Sequence, residues 1–311
     1  MIRWSQAGPG WRGGATPDRL PAMRQFAALA AALFVLVGAA GPALAKPPVW
    51  IVRDGDSEMV LFGSVHVLPP KLDWRPEALD KALAQADDVW FELPIDPETE
   101  ARTAALASAK AYLPPDRSLL ALLSTRARAQ LVRACIRFHL APGLMDRLRP
   151  WYAEVYLASS EYIAAGAAAD AGVEKTLSAA APPTAERRAF ESPEEQIAMF
   201  DGAPQSAQVA SLEESLAEMQ SDPKAYDKLV AAWMRGDLKR LEKDAVIALR
   251  KASPELYDRL VAQRNARWTE ILDARMKGHG RTVVVVGVGH LIGPGGVPAR
   301  LRALGYSVEG P

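Results

Sequence analysis

The spacing of apolar residues divides this chain into strand-like ends and a helical middle. Val49-Trp50-Ile51-Val52 and Met59-Val60-Leu61-Phe62 are short, apolar and partly β-branched, and Asp54-Gly55-Asp56-Ser57 between them is a turn sequence. The pair predicts a β-hairpin whose second strand runs into Gly63. Over residues 74–86 the spacing becomes helical, with Leu79, Leu83 and Ala86 on one face. Asp87-Asp88 ends that pattern. Val89-Trp90-Phe91-Glu92-Leu93 then reads as a short buried strand, closed by Pro94 and Pro97. Strand, helix and strand in this order predict a parallel crossover.

From about residue 99 to 277 helix follows helix, punctuated by Pro114-Pro115, Pro142-Gly143, Pro150 and Pro182-Pro183. Ser192-Pro193-Glu194-Glu195 and Ser253-Pro254-Glu255 each place proline at the first helical position behind a capping serine. The exception is residues 184–190, read as a short strand before Glu191. After Gly278-His279-Gly280 the chain returns to β with residues 282–286. A Gly-rich loop (287–296), a short helix (297–304) and a last strand at Tyr306-Ser307-Val308 complete it. The predicted fold class is α/β (α+β). A central mixed sheet is built from N- and C-terminal segments, with a large, mostly helical middle region. Residues 46–311 are read as one domain.

Residues 1–45 fall outside that pattern. Met23-Arg24-Gln25 begins a basic segment, residues 26–40 form an apolar stretch, and Gly41-Pro42-Ala43-Leu44-Ala45 is a small-x-small site. This is the pattern of a signal peptide with cleavage before Lys46, preceded by a leader rich in Gly, Pro and Arg. An uncleaved anchor is the alternative. Cleavage implies an exported protein, periplasmic or secreted, with no membrane span in its mature form.

The full chain carries 37 basic and 37 acidic residues. The first 45 hold Arg3, Arg12, Arg19 and Arg24 against Asp18, so the remainder is slightly negative. That balance gives no footprint for nucleic acid or an anionic membrane. Cys135 is the only cysteine, which excludes an intrachain disulfide and a Cys-rich zinc site.

The candidate chemistry lies where the strand-like runs end. Gly63-Ser64-Val65-His66 and Gly287-Val288-Gly289-His290 repeat one frame, and the chain has only four histidines. Glycine permits a tight strand exit, and ligands of open α/β sheets bind beyond the carboxyl ends of strands. Glu92 ends the Val89-Trp90-Phe91 run, where a carboxylate is costly unless paired, ligated or solvated. Two histidines and one carboxylate form a familiar divalent-metal set, so His66, Glu92 and His290 are candidate ligands. Each also admits a plainer reading, as a hydrogen-bonded loop histidine or an exposed strand-end acid. Gly287-Val288-Gly289 is a poor dinucleotide loop, because Ile292 stands where its third glycine belongs.

Arg264 shares a side of a helix spanning 257–274 with Leu260 and Trp268. It calls for a carboxylate partner, an oxyanion role or a salt bridge that pins the helix. Glu191 and Gln196, near a helix start, read as capping and packing residues, with Glu191 also a polar site candidate. His139 and His279 read as structural or surface residues, and Cys135 as a buried small apolar one. Neither the G-x-S-x-G serine elbow nor the H-E-x-x-H zinc helix occurs.

Taken in order, several of these segments resemble the TraB/GumN family (TraB/PrgY/GumN), which includes the TIKI metalloproteases that act on Wnt proteins. They are Leu61-Phe62-Gly63-Ser64-Val65-His66, Phe91-Glu92-Leu93, Gly172-Val173-Glu174, Phe190-Glu191-Ser192-Pro193-Glu194-Glu195-Gln196, Arg264-Asn265 with Trp268, and Val286-Gly287-Val288-Gly289-His290-Leu291-Ile292-Gly293. The resemblance spans about residues 47–310. It implies a hydrolase fold similar to the erythromycin-esterase-like (EreA) and ChaN-like proteins. It implies His66, Glu92 and His290 as active-site groups, with Arg264 and Asn265 as further polar members. The TIKI branch implies a divalent metal, manganese or cobalt rather than zinc. Glu174 stands where the family often has Asp, and Glu191-Ser192 where Glu-Thr is more usual.

The expectation is therefore an exported hydrolase of this type, a divalent-metal-dependent peptidase acting on a peptide or protein. Glu92 would be a third ligand or the general base. Two alternatives stay open. One is a metal-independent, erythromycin-esterase-like hydrolase, in which a histidine activates water and Glu92 orients it. The other is a non-catalytic periplasmic protein that sequesters a ligand.

Overall fold

The computed structural model describes residues 46–311. The leader, the cleavage motif and the anchor alternative lie outside the described residues. Six strands form one sheet: β1 (Val49–Arg53), β2 (Ser57–Ser64), β3 (Asp88–Phe91), β4 (Glu186–Ala189), β5 (Gly280–Gly287) and β6 (Ser307–Glu309). Their order is β4-β3-β5-β2-β1-β6. β2, β5, β3 and β4 run parallel, and β1 and β6 add an antiparallel edge. This is the mixed sheet built from both ends of the chain, with a helical middle.

β2 and β3 do point the same way, as the crossover reading requires. They are not neighbours, however: β5 from the C-terminal end inserts between them. Its sequence suits that place. Val283, Val284, Val285 and Val286 are all buried, as expected of a parallel strand covered on both faces. The Glu77–Ala84 helix buries Leu79 and Leu83 in the same core, and the Gln263–Met276 helix adds Trp268, Leu272 and Met276. A second apolar cluster, with Leu119, Leu131, Leu157 and Leu212, belongs to the helical middle alone.

The helix read over 257–274 is not uniform. A π-helical turn, Asp258–Ala262, precedes regular α-helix at Gln263–Met276. Such wide turns are rare and concentrate at functional sites. Here the turn leads directly into Arg264.

The opposite end of the sheet is locked by charge. Buried Asp88 accepts from Arg275 Nε at 2.9 Å and Nη2 at 3.1 Å, from Trp90 Nε1 at 2.8 Å and from Thr282 Oγ1 at 2.7 Å. Burial opposes its charge, but Arg275, Trp90 and Thr282 outweigh burial and hold the carboxyl below its usual range. Asp88→Ala leaves Arg275 largely buried without its partner, and an expected loss of about 3 kcal/mol follows. A depressed carboxylate stabilises the fold above its unfolded pKa of roughly 3.9 and loses that contribution as pH falls. The gap between parent and variant in urea denaturation should therefore be widest near neutrality and close in acid. A constant gap across that range would contradict the assignment.

Candidate functional site

The four parallel strands end at one edge of the sheet, and each delivers a polar side chain there. β2 leads to His66, β3 to Glu92, β4 to Glu191 and β5 to His290. Backbone pairing continues past β4, with Glu191 N–H donating to the Glu92 carbonyl at 3.0 Å, so the two acids stand side by side. The space they face lies over Gly287. A Cβ on Gly287 would sit 3.2 Å from Glu92 Oε1, 3.7 Å from His290 Cδ2 and 4.0 Å from His66 Nε2. The structure thus brings His66, Glu92 and His290 around one point. Gly63 is needed behind them, since a Cβ there would come within 2.8 Å of the Val288 side chain.

Arg264 binds the cluster together. It is 7% exposed, beside the equally buried Glu92 and Glu191. Its Nε and Nη2 grip Glu191 at 2.7 and 2.9 Å, and Nη2 also donates to Glu92 Oε2 at 2.5 Å. Its Nη1 donates to the Leu260 carbonyl and to His290 Nε2, each at 3.0 Å. A guanidinium has five N–H donors, and these five bonds use them all. Of the readings open for Arg264, the carboxylate partner is therefore the one found, and no donor is left over for an oxyanion. The guanidinium also lies 4.5 Å above the Trp268 ring, which packs on His290 and Phe190.

The same network sets the protonation of the site. Burial, the largest single cause, would push the Glu92 carboxyl up, but the opposing causes, led by Arg264, together outweigh it and hold the group down at about 2. Gly287 N–H adds a 2.7 Å hydrogen bond to Oε1. Glu92 is therefore a carboxylate at any physiological pH. Burial pushes His290 down to about 3, so its ring is neutral. Asn265 Nδ2 donates to the Gly295 carbonyl at 2.9 Å, which leaves its Oδ1 to accept from His290 Nδ1 at 2.6 Å. The His290 lone pair is thus on Nε2, facing Arg264.

His66 differs from His290 in exposure and in the charge of its partner. Its side chain is 69% exposed, and its Nδ1 lies 2.6 Å from Glu174 Oε1. Ser64 Oγ donates to the same oxygen at 2.6 Å. Glu174 is the main cause that raises His66 to about 9. Water around the exposed ring screens that attraction, so the upward direction is the firm part. With Nδ1 engaged, Nε2 is the atom turned toward the space over Gly287.

Glu174 is the residue that sequence reasoning left without a role. In the chain it is only an acid at the start of the Val173–Ala180 helix, 108 residues from His66. Gly172 places it there, because a Cβ on Gly172 would collide with the His66 carbonyl oxygen. A second correction concerns the capping reading of Glu191. The helix at Pro193–Asp201 is capped by Ser192 and Glu195 in a reciprocal capping box. Glu191 instead spends its carboxylate on Arg264 and Arg267. His139 and His279 are exposed and Cys135 is buried and free, as read.

The model of the TraB/PrgY/gumN family matches residues 48–310. The chain belongs to this family. Its similar proteins include the Uncharacterized protein YbaP of Escherichia coli (strain K12), 26% identical over 260 residues, which covers 82% of this chain and 92% of the relative. The protein of that name from Shigella flexneri matches to the same extent. No solved structure matches.

The metal that TIKI-type members of the family imply can be tested against the donors present. Ligand bonds to such an ion are about 2 Å long, and its histidine ligands need free lone pairs. Here the His290 Nε2 lone pair and Glu92 Oε2 are both occupied by Arg264. His290 Nε2 and Glu92 Oε1 are 4.0 Å apart with that cation against both. Among the described residues no three His, Cys, Asp or Glu side chains are placed to hold an ion. As folded, the set does not fit a resident dication.

Proposed function

We propose that this chain is a hydrolase whose site works without a resident metal ion. The observation that carries this reading is the pairing of His66 Nδ1 with Glu174 at 2.6 Å, with His66 Nε2 and Glu92 Oε1 both within 4.0 Å of where a Gly287 Cβ would sit. Glu174 fixes the ring so that Nε2 can take a proton from a water. Glu92 Oε1, ionised and across the same space, accepts the water's other hydrogen and orients it. His290, Asn265, Arg264 and Glu191 are positioning residues. They hold the Glu92 carboxylate in a dry, fully bonded setting, where a fixed dipole array acts more strongly than in water.

An acyl compound, a peptide or an ester, is the substrate class that suits water activated by a histidine base. The signal-peptide pattern at residues 23–45 supports a reaction outside the cytoplasm, and no described helix is long and apolar enough to cross a membrane. Protein recovered from the exported fraction should begin at Lys46. It should carry no stoichiometric Mn, Co or Zn by elemental analysis, and keep its turnover of a peptide and ester library in chelator. Tightly held metal that disappears in both His66→Ala and His290→Ala would replace this reading with the metal-dependent peptidase.

A further inference from the structure

A cavity lies in the helical layer, away from the strand ends. It holds about 270 Å³ and is walled by the helices Pro150–Ala164, Gln205–Ser221 and Ala225–Met234 and by residues 240–252. Its charge is one-sided. Glu154 and Glu161 line the interior, and Glu214, Glu218 and Asp244 add three more acids from facing elements. The one basic residue in the lining, Arg240, is already paired with Asp244 at 3.0 Å.

Glu161 is the decisive group. It is 7% exposed, and its Oε1 has no hydrogen-bond partner among the described residues. The nearest cation, Arg137 Nη1, stands 3.9 Å away, beyond hydrogen-bond reach. Burial pushes its carboxyl up, against the pull of Arg137 and with Glu218 and Asp222 adding to the rise. A buried carboxylate that has one distant cation and no hydrogen bond costs folding free energy. Glu154, by contrast, is satisfied by Ser211 and Ser215 hydroxyls at 2.8 and 2.6 Å. The rest of the lining is apolar or aromatic, with Tyr162 and Tyr226 packed 4.9 Å apart. Aromatic faces favour cations.

We propose that this cavity binds an organic cation with an apolar body, an ammonium or guanidinium on an aliphatic stem, with its charge against Glu161. A metal ion suits the site less well. Divalent cations need several oxygens within about 2.6 Å of one point, and among the described residues no three acids are so gathered. Acids dispersed around an apolar space instead match a long, dispersed cation. The site is independent of the hydrolase reading, since none of its lining residues belongs to the strand-end cluster.

The test is calorimetric titration of the whole mature protein with cadaverine, spermidine and a blocked arginine amide, with Mn²⁺ and Ca²⁺ as separate titrants. Saturable binding of at least one organic cation is expected, with Kd below about 1 mM. Tighter binding of the free amines points to a polyamine, and of the blocked arginine to a basic side chain. Either result upholds the site. Glu161→Gln keeps the shape and removes the charge, so it should fold at least as stably as the parent and bind at least about tenfold more weakly. Glu154→Gln serves as a second variant with the same expected direction. The proposal is overturned if none of the three organic cations binds, if Glu161→Gln binds them with parental affinity, or if only the metal ions bind.

Discussion

Arg264→Met is expected to destabilise the protein by about 3–5 kcal/mol, the usual cost of removing one partner from a buried ion pair. Methionine keeps most of the stem volume but none of the five hydrogen bonds. Glu92 and Glu191, both buried, lose the cation that compensates their charge. Arg267 still reaches Glu191 at 2.9 Å, so Glu92 is the acid left worse off. Adding Glu92→Gln to Arg264→Met should therefore recover part of the loss, because a neutral amide no longer needs the guanidinium. Urea unfolding of the single and double variants measures this. If the two changes simply add, Arg264 stabilises the fold through packing on Trp268 and not through the acids.

His66→Ala should have the opposite signature. With a ring 69% exposed, its removal leaves no cavity in the core, and the stability lost is that of the pairing with buried Glu174, present at low pH and fading as pH rises. Turnover should fall by about 10²–10⁴-fold, the usual contribution of a positioned general base. The pH dependence separates a base from a mere contact. A base works deprotonated, so activity must rise with pH through the His66 pKa. Because Glu174 raises that value, the limb should lie above the ordinary 6.5 and below about 9. Glu174→Gln removes the main cause, and the limb should then shift to lower pH while the plateau falls. The stability linkage has its own sign. A raised histidine pKa stabilises the fold below the unfolded value and loses that effect as pH rises through the folded one. A flat pH profile shared by parent and Glu174→Gln would remove His66 from the role of base.

Much of the fold was legible because its signals are local. The hairpin at β1 and β2 has apolar runs on either side of a turn sequence. The valines of β5 are β-branched and continuous. Ser-Pro-Glu starts mark helices directly. The π-helical turn at Asp258–Ala262 carries no such signal, since its residues read as ordinary helix. Of the site, the two glycine-histidine frames and Glu92 were visible because each interrupts a strand-like run. Of the two readings of Glu191, the capping one gives way because the cap, Ser192 with Glu195, stands beside it.

The sequence by itself determined which residues end strands at one edge of the sheet, and that His66, Glu92 and His290 are there. Tertiary structure alone decided what each of them meets. β5 had to enter between β2 and β3 before His290 could reach Glu92. Arg264 meets Glu92 across 172 positions of sequence, and Glu174 meets His66 across 108. Periodicity reports only on neighbours within a turn or a pleat, so it cannot say which charge will face which. Those distant partners make His290 a neutral, enclosed ring and His66 an exposed, carboxylate-held one, although the two histidines occupy the same four-residue frame.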